Sequence, residues 1–349
     1  MAVLTGKHET IGSIYWVISH LCNQECGHCY MSCSPQGSRL SVGEIDAIVK
    51  NLPERINFNI ILSGGELLHP SNKELLFHAA DRLLSKYGRR QIAIQTNGDF
   101  LTDVSARECL KSGITHISVS SIDGFHTLGK FKTQKDKIDY ARKTLKTAGY
   151  KEFSMVELTH EKVFLRAMLM KALFSVMPGM KASPNFTVWG ANEDIWLRGN
   201  WARGRALAEG NVLYDCRHNF CHIWSGGRAF LNAGMPNQEI VMQLKYLYPC
   251  CPTTRVVLGD ITQERVSSAL ARAENHKIFR AINRGKPYLG TEELGMTTEK
   301  ARSLYKEKGN ICLLCDSIIK SLPREDYPLS PFDVYSDDRN AEATEESEP

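Results

Sequence analysis

The sequence has no apolar run near the roughly 18 residues that a membrane span needs. Residues 1–13 contain no hydrophobic stretch of the secretory-signal type. These two absences set the expectation of a cytoplasmic protein with no membrane partner. Dense lysine and arginine runs interleaved with aromatics are missing too, which argues against a nucleic-acid partner. Charge of one sign gathers only at the end. Residues 323–349 hold nine acids against Arg324 and Arg339, a net of −7 that leaves +11 on the rest of the chain. That acidic, apolar-poor stretch is expected to be a disordered tail. No repeat of solenoid length is visible.

Cysteine is what the sequence has in excess. The eleven stand at Cys22, Cys26, Cys29 and Cys33, at Cys109, and at Cys216, Cys221, Cys250, Cys251, Cys312 and Cys315. Disulfide frameworks belong to short secreted chains, so clustered cysteines in a chain of 349 residues without a signal point to metal. Cys109 falls on an amphipathic helical pattern and reads as a buried apolar residue.

From residue 12 to about 205 one phrase repeats: a short apolar run, a small polar loop, a helical segment. Strands are expected at Ser13–Ser19, Phe58–Leu62, Gln91–Gln95, Thr115–Ser120, Phe153–Leu158 and Asn185–Trp189. Ser41 with Glu44, and Ser71 with Glu74, read as capping boxes that open helices, the second ending at Gly88. Further helices are expected near 135–147 and 161–176. Alternation of this kind argues for parallel βαβ units, with ligand loops at the carboxyl ends of the strands. Six units make a partial (β/α)6 TIM-like barrel over residues 1–210. After residue 210 the alternation gives way to glycines, cysteines and short strand candidates at Arg228–Asn232, Leu244–Tyr248 and Arg255–Leu258. Residues 211–322 therefore read as a small cysteine-rich domain.

Cys22, Cys26 and Cys29 have the spacing C-x3-C-x2-C. Three thiolates in one loop suit a four-iron cluster with one iron left open, with Cys33 the nearest fourth thiol. Zinc, with His28 or Cys33 completing a tetrahedral set, is the alternative. The sequence here resembles the radical S-adenosylmethionine (SAM) superfamily, whose signature is C-x3-C-x-φ-C after the first barrel strand, with His28 in the aromatic φ place. Three further stretches share the resemblance. Gly64-Gly65-Glu66 matches the family's GGE motif, which implies contact with the SAM amino group. Thr96-Asn97-Gly98 matches a common element after the third strand. Ser118, Ser120 and Asp123 match a polar stretch near the ribose. On this resemblance Gly65 is expected to lack a Cβ so that its backbone can approach the ligand. Arg203 and Arg205 resemble the segment that leads out of the barrel. They read either as a carboxylate clamp for SAM or substrate, or as a solvated helix start.

The downstream cysteines resemble the twitch/SPASM auxiliary-cluster domain, which implies a second [4Fe–4S] cluster. Cys312, Cys315, Cys250 and Cys221 are the expected ligands, with Cys216 competing for the fourth place. A zinc ribbon on the same sulfurs is the alternative. The family implies reductive cleavage of SAM to a 5′-deoxyadenosyl radical, fed by a flavodoxin- or ferredoxin-type electron donor. The radical then takes hydrogen from a substrate carbon. Six cysteines exceed four ligand places, so Cys251 first and Cys216 second are candidates for a thiol that returns hydrogen, as in an epimerase. A dehydrogenase would instead pass an electron to the auxiliary cluster. Trp189, Trp196, Trp201 and Trp224, with Glu193 and Asp194, suit a sugar or aminocyclitol-type natural product. Those residues equally suit core packing between domains. A ribosomally made peptide is the rival substrate. A zinc-stapled binding module and an iron–sulfur electron carrier are the readings outside enzymology.

Overall fold

The computed structural model describes residues 6–88, 91–120, 124–153, 183–189, 201–212, 214–215, 221, 229–235, 238–254, 256–290 and 296–320. Its strands are β1 (Thr10–Ile11), β2 (Ser13–Ser19), β3 (Arg55–Ile56), β4 (Asn59–Gly64), β5 (Gln91–Thr96), β6 (Ile114–Ser120), β7 (Lys151–Glu152), β8 (Asn185–Trp189), β9 (Glu239–Gln243), β10 (Tyr246–Tyr248) and β11 (Gly259–Asp260). Apart from a small β1–β3 pair, they form one sheet in the order β11-β10-β9-β2-β4-β5-β6-β8-β7. Every pairing from β9 through β7 is parallel. Helices α1 (Val42–Asn51), α2 (Pro70–Tyr87), α3 (Asp103–Lys111) and α4 (Gln134–Thr147) connect successive strands. This is the parallel-rich α/β sheet expected of a partial TIM-like barrel.

Side chains alternate along each strand, so one register sorts the whole sheet into two faces. Ile14, Trp16, Ile18, Ile60, Leu62, Ile92, Ile94, Ile117, Phe186, Ile240 and Met242 are each 0% exposed and share one core with the helices. Burial of each such side chain contributes about 1.5–3 kcal/mol. Trp16 also donates from Nε1 to the Leu244 carbonyl at 2.9 Å, which ties β2 to the turn after β9. Truncation of Trp16 to Ala would cost about 3–5 kcal/mol. The opposite face is mixed: Tyr15, Ser63, Gln95, Ser118 and Thr187 stand on it alongside Val17 and Val241.

Several sequence expectations are corrected here. The Ser71/Glu74 box does not open α2. His69 is the N-cap, its ring accepting from the Ser71 N–H at 3.2 Å, because Pro70 is suited to the first helical position. The Ser41/Glu44 box does open α1. The Arg228–Asn232 stretch is not a strand over its described part: Ala229, at φ 40°, begins a turn closed by the Asn232 N–H on the Ala229 carbonyl. Leu244, at φ 51°, turns the chain between β9 and β10, so only Tyr246–Tyr248 of that stretch is strand. In the third stretch the pairing falls on Gly259–Asp260 rather than Val256–Leu258. Residues 154–158, the 161–176 helix, Cys216, Asp123, Trp196, Trp224, Glu193, Asp194 and the acidic tail lie outside the described residues.

The sheet continues past residue 210, since β9 returns to the free edge of β2 and the β10 hairpin extends it. Beyond it come α5 (Gly204–Ala208, before β9 in the chain), α6 (Val266–Glu274), α7 (Lys277–Asn283), α8 (Thr298–Lys308) and α9 (Ile311–Lys320). No described helix is long and apolar enough to cross a membrane.

Candidate active site and second cysteine site

The loop after β2 carries Cys22, Cys26 and Cys29, and its backbone is fixed from several sides. Cys22 N donates to the Ser34 carbonyl at 2.9 Å, and Cys29 N to the Cys26 carbonyl at 3.0 Å. Gly65 N and Glu66 N, after β4, donate to the carbonyls of Ser19 (2.8 Å) and Leu21 (3.0 Å). A Cβ at Gly65 would meet the Leu21 oxygen at 2.1 Å and the Cys22 Cβ at 2.9 Å. The glycine is therefore required by contact between the two loops. Gly64, at φ 152°, meets the Ser19 oxygen in the same way.

Glu66 is wholly buried. Its carboxylate accepts from Thr96 Oγ1 (2.8 and 3.0 Å), Asn97 N (2.7 Å) and Leu68 N (2.9 Å). Burial pushes its pKa up to about 7, against the pull of these donors. Glu66 thus joins the loop after β4 to the loop after β5. Asn97 donates to Asn23 Oδ1 at 2.9 Å and reaches Cys22 Sγ at 3.9 Å. Asp99 then accepts from Asn23 (2.8 Å), Gln24 (2.5 Å) and the buried Lys137 (2.8 Å). These donors hold its carboxyl below the usual range although burial opposes them. Asp99 directly follows the Thr96-Asn97-Gly98 motif and could have been read from it. Lys137 carries no sequence signal beyond its place on α4.

Ser118 bonds Thr187 Oγ1 at 3.3 Å, and Ser120 donates to the Thr96 carbonyl at 3.4 Å, which sets both beside the same strand ends. Arg205, on α5, donates to the carbonyls of Cys26 (3.1 Å) and Cys33 (3.0 Å) and lies 3.8 Å from Glu25. Its guanidinium holds the cysteine loop from behind. Cys33 pairs with Cys29, whose pKa falls because the Cys33 thiol hydrogen-bonds to it, with Arg205 adding to the effect against burial. Cys22 is pushed up to about 12 by burial. His28 packs against Phe125 and His126 at 5.1 and 4.6 Å between ring centroids. Donor atoms of Cys26, His28 and His126 lie within 4.8 Å of one another.

The downstream cysteines part into two directions. Cys221, Cys250, Cys312 and Cys315 line one cavity, together with Trp201 and Arg203. Among the described residues no histidine or carboxylate lines it, and the four thiols suit an iron–sulfur cluster or a four-sulfur zinc site. Cys251 turns away from this cavity and packs with Tyr15, Val17, Cys22 and Val241 on the mixed face of the sheet. Its Sγ lies 3.6 Å from Tyr30 Oη, which lies 3.4 Å from Tyr15 Oη. Tyr15 continues to Ser63 (2.8 Å) and Gln95 (3.0 Å). Trp201 stacks edge-on against Tyr30 at 4.5 Å and is buried, which fits the core-packing reading of that tryptophan. Sequence reasoning missed Tyr15 and Tyr30, and Arg203 lines the four-cysteine cavity with its guanidinium on Thr253, Ala202, Cys312 and Asp316.

The first three strand-end loops of this α/β sheet interlock around C-x3-C-x2-C, a donor set that suits a four-iron cluster. Residues 16–154 match the model of the radical SAM superfamily. That class binds a [4Fe–4S] cluster and SAM and generates radicals. The residues present fit such a cluster: three thiols share one fixed loop, and one of them already favours the thiolate. No curated protein matches the chain in sequence. Among solved structures, it is similar to BtrN in complex with AdoMet and 2-DOIA, at 14% identity and a TM-score of 0.41, covering 83% of this chain and 92% of that one. It is also similar to anSMEcpe with bound AdoMet, at 12% identity and a TM-score of 0.44, covering 78% and 84%. Streptococcus suis SuiB bound to S-adenosylmethionine matches at 11% identity and a TM-score of 0.34, covering 69% and 60%.

Proposed function

We propose that this enzyme abstracts hydrogen from a carbon of a sugar or aminocyclitol-type natural product and that Cys251 returns hydrogen from the other face, so that the carbon is inverted. One observation carries the reading. Adjacent cysteines point opposite ways, Cys250 into the four-cysteine cavity and Cys251 onto the mixed face of the sheet, in the buried cluster that also holds Cys22. Cys250 then serves as a ligand of an auxiliary cluster with Cys221, Cys312 and Cys315, and Cys251, beside Tyr30, is the thiol that serves the chemistry. Bound at Cys22, Cys26 and Cys29, a cluster with SAM supplies the 5′-deoxyadenosyl radical. The chain's own part is to hold the substrate carbon between that site and the Cys251 thiol. Ser63, Gln95, Ser118 and Thr187 give this face hydroxyl and amide groups suited to a polyhydroxylated ring. Hydrogen transfer leaves a thiyl radical on Cys251, which one electron and one solvent proton return to the thiol; that electron, like the one that cleaves SAM, would come from a flavodoxin- or ferredoxin-type donor.

Turnover in D2O tests the reading. A thiol exchanges its hydrogen with solvent, so inversion should leave one deuterium at the inverted carbon. Cys251→Ala should keep both clusters and still consume SAM, yet give no inverted product. A product two hydrogens lighter, with no solvent deuterium, would establish a dehydrogenase instead. Loss of about four irons in Cys251→Ala would make Cys251 a ligand.

A further inference from the structure

Arg203 stands just before α5, where it faces the four-cysteine cavity from the side of the barrel. Its side chain is 12% exposed, and its guanidinium is held at every edge. Nε donates to the Thr253 carbonyl at 3.1 Å and Nη1 to the Ala202 carbonyl at 2.6 Å. Nη2 donates to the Cys312 carbonyl at 3.4 Å and to Asp316 Oδ1 at 3.0 Å. Arg203 therefore bridges the segment before α5, the loop bearing Cys250, and the helix bearing Cys312 and Cys315. Asp316 follows Cys315 directly but is not among the residues lining the cavity, whereas Arg203 is. The positive end of the pair thus lines the site, while the charge of Asp316 also bears on the Cys312 and Cys315 thiols with the opposite sign.

We propose that the Arg203–Asp316 pair sets the reduction potential of the group held by Cys221, Cys250, Cys312 and Cys315, with Arg203 raising it and Asp316 lowering it. The inference rests on the auxiliary-site reading above. One-electron reduction adds a negative charge to the group. A rigid, desolvated cation beside it stabilises the reduced form more than the oxidised one, and charge near the sulfurs is a main control on such potentials. A raised potential keeps the group within reach of its electron donor.

The test uses the full chain with Cys22, Cys26 and Cys29 changed to Ala, so that the auxiliary group alone is read. Its iron content is measured first, then its midpoint potential by EPR-monitored redox titration. About four irons are expected. Arg203→Met in this background should lower the ratio of reduced to oxidised group about tenfold at fixed potential, a fall of about 59 mV for one electron. Arg203→Lys should restore most of it, and Asp316→Asn should shift it upward. An unmoved midpoint in an iron-loaded Arg203→Met chain would overturn the assignment of Arg203. If Arg203→Met holds no iron, Asp316→Asn decides alone: an upward shift supports the proposal, and no shift overturns it. An iron-free parent would overturn both the proposal and the auxiliary-site reading, a result distinct from a flat potential.

Discussion

Cys22, Cys26 and Cys29 come from a single short loop, whereas Cys221, Cys250, Cys312 and Cys315 come from three segments that meet only in the folded chain. The first site is local, and it is braced by other loops: Glu66, Thr96, Asn97, Asp99 and Arg205 all act on its backbone or its flanks. The second site is built by tertiary packing around Arg203. A local site keeps its shape when its ligand is removed. A site assembled from distant segments depends on its ligand to hold those segments together.

The largest effect should separate the two sites on this ground. Cys312→Ala combined with Cys315→Ala is expected to remove about half of the iron and to lower the melting temperature by many degrees. Changing Cys22, Cys26 and Cys29 should remove a similar share of iron with a much smaller change in melting. Equal melting shifts from the two sets would erase the distinction, and calorimetry with iron analysis reads both.

A second effect sharpens what braces the first site. Glu66 has its pKa raised from 4.5 to about 7 by burial, so the folded state binds the extra proton between those values. Stability from this group is therefore greatest at low pH and falls as pH rises through about 7. The difference is up to about 3 kcal/mol. Glu66→Gln should flatten this part of the stability–pH curve in denaturant titrations. An unchanged slope would show that Glu66 is ionised in the fold throughout.

Gly65→Val should come next, at about 1–3 kcal/mol of lost stability, because the new Cβ overlaps the Leu21 carbonyl. The structure further predicts poorer iron loading in this variant, since the displaced backbone is that of Cys22. A chain that melts and loads normally would contradict the interlocked loops.

These contrasts explain what was legible beforehand. C-x3-C-x2-C, Gly64-Gly65-Glu66 and Thr96-Asn97-Gly98 were readable because each sits in one loop after an apolar strand, where spacing and position coincide. The alternation that placed β2, β4, β5, β6 and β8 follows from their burial on one face at least. The direction of Cys251 was not readable, because adjacent residues in a loop follow no fixed period. Arg203 and Lys137 were equally opaque: a buried cation looks like a solvated one until its partners, Asp316 and Asp99, are brought to it by the fold. Strand β9 escaped because Glu239 and Gln243, polar in sequence, are buried in the sheet.

The smallest effect concerns reactivity. In metal-free protein at pH 7, Cys29 should alkylate faster than Cys22, since hydrogen bonding from Cys33 favours its thiolate while burial keeps Cys22 protonated. Cys33→Ala should slow Cys29 alkylation severalfold, and Cys33→Ser, which keeps a donor, should slow it less. Mass spectrometry of the labelled chain would show the order, and equal rates in all three proteins would exclude the pairing.

The central claim is that two separate iron–sulfur sites exist and that only the one on Cys22, Cys26 and Cys29 cleaves SAM. Iron and 5′-deoxyadenosine should be measured together after anaerobic reconstitution of the triple Cys→Ala variant with dithionite and SAM. The account predicts about four irons retained, against about eight in the native chain, and no 5′-deoxyadenosine. Complete loss of iron, or continued release of 5′-deoxyadenosine, would contradict it.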